Sequence, residues 1–217
     1  MEPRVPSLLI LALLTASTAA QQPTWSKYIP KNQRNGIIKK TVRVTGLGAS
    51  MTGHGTSIAI WATEPTARAL VSEIVERERL TPEEADRHLA DLRVQNYYCF
   101  LINVLERPPS LFTGRRGSGK PSPIGNPLKH REVFLQRAED RDQFSKGTVS
   151  DHEFDFYLNA PTLPETAYLV FLPKLARNGH PIVRSLSDKI ELQFTISGKK
   201  VVLDFKIKDI VGSIEKL

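Results

Sequence analysis

Cysteine is almost missing from this chain of 217 residues. Cys99 stands alone, so no intrachain disulfide can form. No Cys follows the apolar run near the N-terminus, which excludes lipid attachment at a cleaved N-terminal Cys. Nowhere do Cys and His fall at the spacing of a zinc site. Aspartate is absent from every position before Asp86. Apolar runs are short: Leu8 to Leu14 is too brief for a comfortable transmembrane helix. No internal repeat is visible in the sequence.

Hydrophobic residues make up 40% of the chain, enough for one globular core. Fifteen prolines and thirteen glycines point to many turns. The formal net charge is +7 and the pI about 9.6. Such a balance favours weak attraction to an anionic surface or acidic polysaccharide, with no specific nucleic-acid partner expected. Arg4, the apolar run and the small residues Ala16 to Ala20 have the layout of a secretory signal peptide. Cleavage is expected near Ala19 or Ala20. The mature chain would then be exported, periplasmic or extracellular, with no transmembrane helix.

The clearest local pattern is the C-terminal stretch 189–208. Ile190, Leu192, Phe194 and Ile196 alternate with polar residues, as do Val201, Leu203, Phe205 and Ile207. Period-two alternation places each set on one face of a strand. A two-residue turn at Gly198-Lys199 pairs Phe194 with Leu203 and Glu191 with Lys206, giving a hairpin with one apolar face. Upstream, 36–46 and 56–62 read as two short strands. Ala67, Leu70, Val71, Ile74 and Val75 form a helical stripe. Thr81, Pro82 and Glu84 restart a helix with a capping box. The helical insert thus spans about 65–93, as two helices or one bent near Leu80. Residues 95–106 read as a central strand buried on both faces. Residues 132–137, 152–158 and 167–172 read as further strands, and 138–149 as charged and turn-like. The predicted class is α+β, mainly an antiparallel β-sheet or sandwich. One domain is expected over 21–217, after the leader at 1–20.

Residues 107–130 hold five prolines and four glycines, and read as a long flexible basic loop. Within it, Gly114 to Lys120 fits the GxxxxGK part of a phosphate-binding loop. Pro121 follows where Ser or Thr is needed, and Pro123 and Pro127 forbid the helix that must come next. Arg115, Arg116, Lys120, Lys129 and Arg131 remain as weak anion-binding candidates. Gly53 to Ala59 resembles the histidine motif of subtilisin-like proteases over seven residues. Its His54 would need an Asp upstream, and none exists. Asp151, Glu153 and Asp155 share one predicted strand face, with His152 pointing beside Phe154 and Phe156. Cys99, in an apolar run, reads as a buried inert thiol, and His88 as a helix-edge residue.

No family is assigned, and neither a metal nor a cofactor is expected. The primary reading is an exported, non-catalytic protein acting through a binding or envelope-associated surface. The alternatives are a hydrolase drawing on His54, His152, Asp155 and His180, or an anion-binding module using 107–131.

Overall fold

A computed structural model describes residues 25, 27, 29, 33–40, 54–107, 128, 131–157, 165–196, 199–212 and 214–217. The leader expected at 1–20 lies outside these residues, as do 41–53 and most of the basic loop. Among the described residues nine strands form two antiparallel sheets. They are β1 (Ile38–Lys40), β2 (His54–Ala62), β3 (Tyr97–Arg107), β4 (Phe134–Arg137), β5 (Phe144–Lys146), β6 (Thr148–Phe156), β7 (Glu165–Pro173), β8 (Lys189–Ile196) and β9 (Lys199–Lys206). One sheet runs β1-β2-β3-β7-β6 and the other β5-β4-β8-β9. The helices are α1 (Arg34–Ile37), α2 (Glu64–Glu78) and α3 (Pro82–Asp91). The fold is therefore α+β with antiparallel sheets dominating. None of the described helices is long and apolar enough to cross a membrane.

Strand β3 sits in the middle of the five-stranded sheet, and Tyr98 to Asn103 are all buried. A strand covered on both faces can be apolar along its length, as Tyr98 to Ile102 are, and the buried Asn103 amide donates to the Thr166 carbonyl at 2.8 Å. One face meets the second sheet: the Trp61 ring lies 4.8 Å from Phe100 and 5.5 Å from Phe205 of β9. The register pairs Phe100 with Val170 and Cys99 with Phe171, so Phe171 points to the opposite face. That face carries the helices. The Arg93 guanidinium lies 4.9 Å from the Phe171 ring, and His88 of α3 meets Phe154 edge-on at 6.0 Å. Cys99 is fully buried, and burial pushes its thiol well above the usual range, so it is a poor nucleophile. Gly147 joins β5 to β6 and carries the chain from one sheet to the other. A Cβ there would lie 3.0 Å from Val170 Cγ1 and 3.1 Å from Leu172 Cγ, so the crossing suits a residue without a side chain.

The structure corrects four expectations. The strand expected over 36–46 is β1 alone in the described part, and Arg34–Ile37 is helical. Gly36 is pressed against a distant turn: a Cβ would lie 2.1 Å from the Asp209 carbonyl oxygen. Residues 138–149 hold β5 and the start of β6. His152 is exposed while Phe154 and Phe156 are buried, because β6 bulges between Val149 and Glu153 and His152 leaves the ladder.

The fourth correction is the hairpin register. Phe194 faces Val201, Leu192 faces Leu203 and Ile190 faces Phe205, two residues from the predicted pairing. An even shift keeps every side chain on its face, so the apolar side stays buried. Lys199 is a strand residue opposite Ile196, not a turn residue, and 197–198 lie outside the described residues. Ile207 leaves the ladder for a 3-10 turn, where its N–H donates to the Asp188 carbonyl (3.1 Å) and that of Lys208 to Leu186 (3.0 Å). Glu191 then faces Asp204 rather than Lys206. Lys189 Nζ reaches Asp204 at 2.7 Å, and Gln136 and Gln193 donate to Glu191 at 2.8 and 3.0 Å, which offsets the like-charge pairing.

Candidate functional site

Helix α3 begins at a capping box: the Glu84 N–H donates to Thr81 Oγ1 (3.3 Å), and the Thr81 N–H to Glu84 Oε2 (2.8 Å). It ends in a tight turn in which the N–H groups of Asn96 and Tyr97 both donate to the Arg93 carbonyl, each at 3.1 Å. Arg93 holds a left-handed φ of 48°, a strained conformation for a side chain of this size. The turn delivers the Arg93 guanidinium onto Phe171. On the facing edge strand, the β6 bulge is held by the His152 N–H donating to Ser150 Oγ at 3.0 Å.

Between these elements lies a cleft of about 420 Å³. Ile74, Phe154, Leu169 and Phe171 give it apolar walls. Its helical rim carries Glu78, His88, Asp91 and Arg93, and its strand rim Ser150, His152, Glu153 and Asp155. Three of the carboxylates stand beside neutral hydroxyls. Tyr157 donates to Glu78 (3.2 Å) and Thr166 to Asp155 (2.8 Å), while the Tyr168 phenol stands beside Glu153. Burial, then the adjacent Glu153 carboxylate, raises the Tyr168 phenol pKa. Burial and Glu78 act the same way on Tyr157. Among the described residues neither imidazole is hydrogen-bonded to a carboxylate. No group of three or more His, Cys, Asp or Glu side chains among them is arranged to hold a metal.

The residues singled out from sequence are divided by the fold. His152 and Asp155 line the cleft, while the exposed His180 does not, and the His54 side chain lies outside the described residues. His54 pairs with Arg107 at the far end of β2, and His180 is exposed in a turn capped by Asn178. Arg115, Arg116, Lys120 and Lys129 lie outside the described residues. Arg131 is described: its Nη1 donates to the Thr195 carbonyl at 2.6 Å, beside Lys200, in a second hollow of about 390 Å³. Leu128, from the same loop, is fully buried. Sequence reasoning missed Glu78, Asp91 and Arg93, and read His88 as a helix edge. The His88/Asp91 spacing on one helix was the available signal. Nothing in the sequence places that helix opposite the bulged strand.

A second acidic centre lies elsewhere. Asp188, before β8, is buried. It accepts from the Arg184 N–H (2.7 Å), the Ser185 N–H (3.1 Å), the Ser185 hydroxyl (3.0 Å) and Arg137 Nη2 (3.0 Å). Burial pushes its pKa up, but these donors and the Arg137 charge more than offset that and hold it below the usual carboxylate value. With every lone-pair direction occupied, this centre is structural. The chain matches no protein-family model, and no curated protein or solved structure matches it.

Proposed function

We propose that the chain is an exported, non-catalytic binding protein whose ligand site is the cleft between α3 and the bulged strand β6. The carrying observation is the combination of apolar walls with a charged rim in a cleft of about 420 Å³. That volume is within the range of small-molecule sites, and the lining is more polar than most, with four apolar side chains under a charged rim. Export is supported by the leader-like residues 1–20. N-terminal sequencing of the secreted chain is expected to begin at Ala20 or Gln21.

The binding reading is tested with the neutral fluorophore N-phenyl-1-naphthylamine. The wild-type chain is expected to bind one equivalent and raise its emission. His88→Trp fills the space over Phe154 from a half-buried helical position. It is expected to weaken binding at least about tenfold with little change in melting temperature, since it removes no buried partner. Unsaturable binding, or binding untouched by His88→Trp, would exclude this cleft.

The hydrolase reading draws on one observation: Ser150, His152 and Asp155 line the same cleft. It is weaker because Ser150 Oγ accepts the His152 backbone N–H, whereas nucleophilic catalysis needs the imidazole itself beside the hydroxyl. Turnover of p-nitrophenyl esters that His152→Ala abolishes would reverse this ranking.

A further inference from the structure

We propose that the cleft selects an organic cation, an ammonium group on an aromatic or alkyl body. The inference rests on the cleft being the binding site and names its ligand class. Among the described lining residues, four carboxylates, Glu78, Asp91, Glu153 and Asp155, stand on the rim against one guanidinium, Arg93, while Arg77 lies nearby on the Tyr157 ring. All four are exposed, and among the described residues none is in an ion pair. The hydroxyls beside Glu78, Glu153 and Asp155 are neutral and leave the carboxylate charge in place. The Arg93 guanidinium lies against the Phe171 ring. The chain as a whole is at +7, so this acidic rim runs against its charge balance. Such a local field concentrates cations in the cleft and repels anions. Below the rim, Ile74, Leu169 and the partly covered rings of Phe154 and Phe171 give an apolar floor for the body of such a ligand, and the ammonium would be met by the rim carboxylates.

The test is competition against bound N-phenyl-1-naphthylamine by two ligands of matched shape, 2-phenylethylammonium and 3-phenylpropionate. The ammonium is expected to displace the fluorophore at a concentration at least about tenfold lower than the carboxylate. Raising sodium chloride from about 50 to about 500 mM is expected to narrow that gap, because the rim charges are exposed and screened. In the double variant Asp91→Asn, Glu153→Gln the preference is expected to fall to near parity, with an unchanged circular-dichroism melt as the folding control. A preference for the carboxylate, equal displacement by both, no displacement by either, or a preference that survives in the double variant would each overturn the cation assignment while leaving the cleft a binding site. Failure of the fluorophore to bind the wild-type chain would overturn both readings.

Discussion

Asp188 and the carboxylates around the cleft put the same functional group in two settings. Asp188 is buried and accepts from two backbone N–H groups, a hydroxyl and a guanidinium. Glu78, Asp91, Glu153 and Asp155 are exposed, and among the described residues the groups beside three of them are neutral hydroxyls. At Asp188 the chain has matched every cost of burying a charge with a donor of its own. At the cleft it leaves the charge for something else to meet. A carboxylate's role follows from who satisfies it, not from its presence in the sequence.

The difference can be broken by mutation, starting where the effect is greatest. Asp188→Ala strands Arg137 and two backbone N–H groups, and is expected to cost about 3–5 kcal/mol in urea denaturation. A cost below about 1 kcal/mol would mean the centre is not structural. Arg137→Ala leaves the backbone donors in place and is expected to cost less, about 1.5–3 kcal/mol. Thr81→Ala removes the α3 cap on the cleft's own helix and provides a yardstick of about 1 kcal/mol. Asp91→Asn with Glu153→Gln is expected to move stability by no more than about 0.5 kcal/mol, since both carboxylates are exposed and in no ion pair among the described residues. A larger loss there would give the rim a structural role and erase the contrast.

Acid sharpens the same comparison. The folded pKa of Asp188 lies below its unfolded value. Its stabilising contribution is therefore complete above the unfolded value of about 3.9, and is lost as pH falls through the folded value. Wild type and Asp188→Asn are expected to differ most in urea midpoint near neutral pH and to converge in that acid window. A gap that persists unchanged to the lowest pH would remove the charge from the account.

Several parts of the fold were legible because they are local. Thr81, Pro82 and Glu84 mark the start of α3 within four positions. The apolar run from Tyr98 to Ile102 marks a strand that needs cover on both sides. The antiparallel, β-rich α+β character follows from such patterns. The bulge that expels His152 was not legible, because alternation assumes an unbroken ladder. The hairpin register was also misread. Residue pairing and charge pairing favoured Glu191 opposite Lys206, but in the structure the pairing is displaced by two residues and Ile207 turns into a 3-10 helix with its N–H on the Asp188 carbonyl. The cleft was half visible. His152 and Asp155 drew notice as a pair of types, while Glu78, Asp91 and Arg93 looked like ordinary solvated residues.

By itself, the sequence determined which residues are apolar, where strands and helices can start, and that Cys99 can form no intrachain bond. These follow from side-chain chemistry and from periods of two and 3.6 residues, which need no knowledge of distant neighbours. Only the tertiary structure decided where the sheets meet, which register the hairpin takes, why Gly36 and Gly147 have no side chain, and which carboxylates share a cleft. Each of those depends on atoms far apart in the chain coming within a few ångströms.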